Sequence, residues 1–74
     1  MKLSDMQKDK CVRVKSLGVD AHFLNRITSI GITEGTTIRV VRNDRKMPVL
    51  VYVRQTLLAL NREDCEKIEI EEVA

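Results

Sequence analysis

Between Phe23 and Val40 the chain changes its apolar period, and two glycines four positions apart, Gly31 and Gly35, mark the change. Phe23, Leu24, Ile27 and Ile30 recur at helical spacing, which turns one side of a short helix toward the core. His22, Asn25, Arg26 and Ser29 fall on the other side. Asp20 stands one turn ahead of Phe23, where its side-chain oxygen can accept from the unpaired first amides of the helix. Gly31 stops the helix, since glycine enters the left-handed region at no steric cost. Ile32 can then fold back on Ile27. Thr33-Glu34-Gly35-Thr36 reads as a turn with a positive φ at Gly35, and from Thr36 to Arg42 the period is that of a strand. A capped helix, a glycine stop, a turn and a strand in direct succession leave few architectures open.

The rest of the chain reads as short strands. Leu3-Ser4-Asp5-Met6 predicts one helical turn tucked under the core, and Lys8-Asp9-Lys10 a charged turn. Cys11 to Leu17 alternates, with Val12 and Val14 on one face and Cys11, Arg13 and Lys15 on the other. In the second strand, Thr36 to Arg42, Ile38 and Val40 face inward, and Asn43 to Lys46 is the polar tip of a hairpin. Pro48 opens a third strand, where a missing amide is tolerated, with Val49, Val51 and Val53 on one face and Leu50 and Tyr52 on the other. Gln55-Thr56 predicts a tight turn into a fourth strand, Leu57 to Leu60. Asn61 then caps a helical turn, Arg62 to Lys67, with Asp64 beside the unpaired amides. Ile68 to Val73 closes the chain as a fifth strand. The expectation is a mainly β fold: a small, strongly bent sheet of about five strands closing into a barrel, with one inserted helix and a short C-terminal helical turn. Closure would hide the strand edges.

With 74 residues there is room for one domain, 1–74, with a small core. No apolar run approaches the roughly 18 residues of a membrane span. The start, Met-Lys-Leu-Ser-Asp-Met, lacks the apolar segment of an export signal, so the chain is expected in the cytoplasm with Cys11 and Cys65 reduced. The net charge of +2 conceals an asymmetry: residues 1–62 carry twelve Lys or Arg against five acids, residues 63–74 one Lys against six. Because Ile68 and Ile70 alternate with Glu69 and Glu71, the acidic end is expected to dock as a strand on the basic body.

These residues resemble the ferrous iron transport protein A family, FeoA, whose members are small cytosolic proteins with an SH3-like barrel. The matching pieces are Leu3-Ser4-Asp5-Met6, Leu24 and Arg26-Ile27 through Ile30-Gly31-Ile32-Thr33-Glu34-Gly35-Thr36, Leu57-Leu58-Ala59-Leu60, and Glu66-Lys67-Ile68-Glu69-Ile70. The chain departs from the family pattern in loops: Glu34 stands where Pro is usual, Asp9 and Gln55 where glycines are common, and Arg45-Lys46-Met47-Pro48 where Gly-Asp-Pro often precedes the strand. The resemblance implies an accessory component of bacterial ferrous iron uptake. Its partner would be the membrane ferrous iron transporter (FeoB-type), which carries a cytosolic GTP-binding domain and would hold the protein peripherally at the inner membrane. Similar barrels also form the C-terminal domain of metal-dependent repressors, so the fold alone does not fix the role.

The residues themselves exclude much. No Cys-x-x-Cys, His-x-x-x-His or Glu-x-x-His spacing supplies paired metal ligands, and no cofactor is implied. No phosphate loop or nucleophile–base pattern is present, so an enzyme is not expected. Nucleic-acid binding by a small barrel is the alternative, favoured by the basic body and opposed by a lack of aromatics beyond Phe23 and Tyr52. For partner contact the candidates are His22, Asn25, Arg26 and Ser29 on the helix and Thr33, Glu34 and Gly35 in the turn. Two copies could also associate through open edges, and oxidation at Cys65 could link them.

Overall fold

The computed structural model describes residues 1–73. Alternating sequence builds five strands, β1 (Cys11–Ser16), β2 (Thr37–Arg42), β3 (Val49–Val53), β4 (Thr56–Leu60) and β5 (Glu69–Glu72). Helix α1 (Ala21–Ser29) joins the first two strands and a single turn, α2 (Arg62–Cys65), joins the last two. A 3-10 turn over Leu3–Asp5 precedes them and buries Leu3, as the sequence leads one to expect. The strands form one antiparallel sheet in the order β4-β3-β2-β1-β5.

One apolar cluster takes side chains from all five strands: Val12 and Val14, Ile38 and Val40, Val49, Val51 and Val53, Leu60, and Ile70. Phe23 and Ile27 of α1 and Cys65 of α2 complete it with Leu3, Ile32 and Ile68. A sheet that gives both of its ends to one core must coil, and two bulges supply the bend. Opposite β5 the register steps from Val14 to Ser16, leaving Lys15 extra; opposite β3 it steps from Val40 to Arg42, leaving Val41 extra. The expected mainly β architecture holds. The barrel is closed by side chains and not by a complete ring of hydrogen bonds, since β4 and β5 remain the ends of a linear order.

The acidic end docks on the basic body as its charge predicts. Arg13 pairs with Glu71 across β1 and β5 at 3.8 Å. On the outer side of β5, the Ile70 N–H donates to the Met1 carbonyl at 2.8 Å and the Leu3 N–H to the Ile68 carbonyl at 3.0 Å. Between them Lys2 Nζ meets Glu69 Oε2 at 2.6 Å, and the Met1 amino group meets Oε1 at 3.1 Å. Lys2 and then this amino group hold the Glu69 carboxyl down at about 2.

Three local expectations are corrected. The β3–β4 turn falls on Arg54-Gln55, one residue earlier than predicted, and Thr56 already belongs to β4. Both turn residues have positive φ, 49° and 67°, the mirror-type turn whose twist suits a hairpin; without a glycine the sequence gives no cue to its position. Helix α2 ends at Cys65, Asn61 stands at its N-cap without a side-chain cap bond, and Asp64 meets Arg26. Asn43 is not merely a polar hairpin tip. Its Nδ2 donates to the carbonyls of Ser4 and Met6 at 3.0 and 2.6 Å, and its Oδ1 accepts from Arg62 Nη2 at 2.7 Å. Arg62 Nη1 also donates to the Asp44 and Met47 carbonyls at 2.7 and 3.0 Å, so one guanidinium fastens the β2–β3 hairpin to α2.

Candidate functional site

Helix α1 and the turn after it are positioned by backbone chemistry at both ends. Asp20 Oδ1 accepts from the Phe23 and His22 amides at 3.2 and 3.0 Å, the predicted cap. The bond from Phe23, more than that from His22, lowers the Asp20 carboxyl below its usual range. At the other end Gly31 has φ 96°. Its N–H donates to the Thr28 carbonyl at 3.0 Å, and the Ile32 N–H donates to that of Ile27 at 3.2 Å. These are the paired closing bonds of a glycine-ended helix, and they turn Ile32 fully into the core. Gly35, φ 87°, then donates its N–H to the Val14 carbonyl at 2.8 Å, which bolts the turn to the middle of β1. Glu34 sits where a proline would preset the turn, and the buried Thr36 supplies the missing restraint: its Oγ1 accepts from the Thr33 N–H at 3.0 Å.

All seven predicted contact residues, His22, Asn25, Arg26, Ser29, Thr33, Glu34 and Gly35, are exposed. They are not equally free. Arg26 Nη2 meets Asp64 Oδ1 at 2.6 Å, and its guanidinium lies 5.8 Å from the Phe23 ring centroid, so this side chain ties α1 to α2. Lys67 lies over the same ring at 5.4 Å. Ser29 Oγ donates to the Asn25 carbonyl at 2.6 Å and is spent on the helix itself. Among the described residues the side chains of His22, Asn25 and Glu34 make no hydrogen bond or ion pair.

The apolar stripe of α1 is narrower than its spacing suggests. Phe23 and Ile27 are buried, Leu24 is half-buried, and Ile30 is 42% exposed. Ile30 is the last residue before the chain reverses at Gly31, so Ile32 takes the place in the core that Ile30 was expected to fill. Leu24 lies on the rim of a shallow groove of about 390 Å³, shared with Leu17, Gly18, Thr28, Thr33 and Glu34. Val19, next to Gly18, is 96% exposed. Sequence reasoning missed Val19, although an aliphatic residue held between Gly18 and Asp20 belongs to neither strand nor helix and has no face to bury.

The titratable chemistry is sparse. Cys65 is wholly buried, and burial pushes its thiol up to about 11, so it offers no exposed thiolate. Cys11 is exposed on β1, and both thiols are free. Among the described residues no three His, Cys, Asp or Glu side chains are grouped as a metal site requires. No helix among them is long and apolar enough to cross a membrane.

A coiled five-stranded antiparallel sheet wrapped on one core is the architecture of the SH3-like class of small barrels. The family model described as FeoA domain matches residues 1–72, and the chain belongs to this family of iron-transport accessory proteins. The crystal structure of an iron uptake regulatory protein (FeoA) is similar over 97% of this chain and 95% of its own, with 19% identity and a TM-score of 0.87. The solution structure of the FeoA protein from Chlorobium tepidum is 26% identical, covering 100% of this chain and 71% of that one, with a TM-score of 0.84. The manganese regulator SloR contains the same fold, at 14% identity and a TM-score of 0.87 over 97% of this chain and 34% of its own. No curated protein sequence matches the chain.

Proposed function

We propose that this chain is a small cytoplasmic accessory protein of bacterial ferrous iron uptake. It binds the cytosolic part of the membrane ferrous iron transporter (FeoB-type), sits at the inner membrane through that partner, and modulates it without chemistry of its own. Family membership supports the accessory role. One observation carries the contact surface: the outer side of α1 and the turn offer unspent groups, His22, Asn25 and Glu34, beside exposed apolar residues, Val19 and Ile30, and the groove at Leu24. Apolar contacts ringed by free polar groups are what a modest protein interface uses. Thr33 and Gly35 shape the turn that forms the rim, and Arg26 and Ser29 hold the helix surface in place.

The test is binding of the purified transporter domain, with and without guanine nucleotide, to the natural protein and to Val19→Glu combined with Asn25→Glu. Both side chains are unpacked, so the melting temperature should hold while affinity falls about tenfold or more. Unchanged affinity removes α1 from the proposal. Salt-sensitive retention of the natural protein on immobilised nucleic acid would favour the other small-barrel role.

A further inference from the structure

Strand β4, Thr56–Leu60, forms an open edge of the sheet. The two-residue turn before it makes Val53 and Thr56 the bonded closing pair, so bonded positions recur at Leu58 and Leu60, opposite Val51 and Val49. Leu57 and Ala59 therefore direct their amides and carbonyls away from β3. Among the described residues no backbone meets them. The strand carries none of the devices that blunt such an edge, neither a charge, a proline nor a bulge.

Its outer face is apolar. Leu57 is 58% exposed, and Tyr52, directly opposite on β3, is 41% exposed. Ala59 and Leu50 form the next pair along. The surroundings are cationic: residues 45–62 contain Arg45, Lys46, Arg54 and Arg62 and no acid. Beyond Tyr52 the row continues to Arg39, which is paired with Asp9 at 3.7 Å.

We infer that β4 accepts an added strand from another protein, an extended segment whose apolar side chains cover Leu57 and Tyr52 and whose flanking acids meet Arg54 and the Arg45-Lys46 pair. A second copy fits less well. Antiparallel pairing of two β4 strands about Leu58 turns the Arg54 end of each copy toward the Arg45-Lys46 end of the other, cation against cation, with no acid in residues 45–62. The proposed contact uses no residue of α1 or of the glycine turn and stands independently of the transporter reading.

The probe is a synthetic peptide of alternating valine and threonine with two glutamates at each end, titrated into isotope-labelled protein. The Leu57 and Ala59 amide signals should shift and their hydrogen exchange should slow. A twin with lysine in place of glutamate should bind about tenfold more weakly, and Arg54→Glu should narrow or reverse that preference. Ala59→Pro removes an outward amide that β3 does not use, so binding should vanish while the hairpin survives. A peptide N-methylated at its edge-facing amides makes the same test on the natural protein and should not bind. The inference is overturned if the β4 amides stay still at millimolar peptide, if the lysine or N-methylated peptides bind equally well, or if shifts are confined to α1. Concentration-dependent β4 shifts with a doubled mass and no peptide would assign the edge to a second copy and overturn it too.

Discussion

At β5 the outer backbone is met by Met1 and Leu3, whereas at β4 the amides and carbonyls of Leu57 and Ala59 meet no other strand among the described residues. The covered edge is acidic and its cover cationic: Glu69 holds Lys2 and the Met1 amino group on the same side where the two backbones bond. The bare edge has no charge in the strand, and the charged residues of positions 45–62 are all Arg or Lys. Two edges of one small sheet are thus finished by opposite means, one by a segment from the far end of the sequence, the other, among the described residues, not at all. The cover at β5 matches the charge of its edge, and the basic surroundings of β4 meet no such segment within residues 1–73.

The contrast can be tested from its strongest element down. Leu3 is fully buried where the cover enters the core, so Leu3→Ala should cost about 3 kcal/mol in urea unfolding. A loss below about 1 kcal/mol would show that the cover lies outside the cooperative core. On the bare side, Gln55→Gly should stabilise by about 1 kcal/mol or less, because relief at φ 67° outweighs the added freedom of the unfolded chain. A destabilised variant would mean that the Gln55 side chain supports the hairpin.

Acid should act on one edge only. The Glu69 carboxyl lies at about 2 in the folded chain against an ordinary 4.5, so its ion pairs contribute fully above 4.5 and are lost as pH falls through about 2. The protection factor of the Ile70 amide should fall over that window, protection at Leu58 should track global unfolding only, and Glu69→Gln should remove the difference. The smallest effect belongs to Leu57→Lys, which should change stability by less than about 0.5 kcal/mol because its side chain is exposed. A larger loss would mean that Leu57 packs more than its exposure implies.

What could be read from the residues was local. Asp20, Gly31, Ile32 and Gly35 announced α1 and its exit because each acts on amides within a few positions, and all four behave accordingly. Alternation gave the strands to within a residue or so at most boundaries. What stayed hidden depends on distant partners: Asn43 with Ser4 and Met6, Arg62 with the hairpin carbonyls, and Arg26 with Asp64. The seven contact candidates were legible as exposed positions, but their availability was not, since Arg26 and Ser29 are engaged and Val19 and Leu24 are the accessible apolar neighbours. The Arg54-Gln55 turn lies one position before its expected place, because ordinary side chains occupy a conformation that glycine usually signals.

The extra residues at Lys15 and Val41 act as phase shifters. Past Lys15 the inside–outside alternation of β1 is inverted, which is why Leu17 reaches the interior, and past Val41 the same inversion sends Arg42 to the solvent. Deleting either residue would therefore do more than shorten a strand: it would reverse the parity of the positions beyond it, expelling an aliphatic side chain in one case and drawing a guanidinium inward in the other.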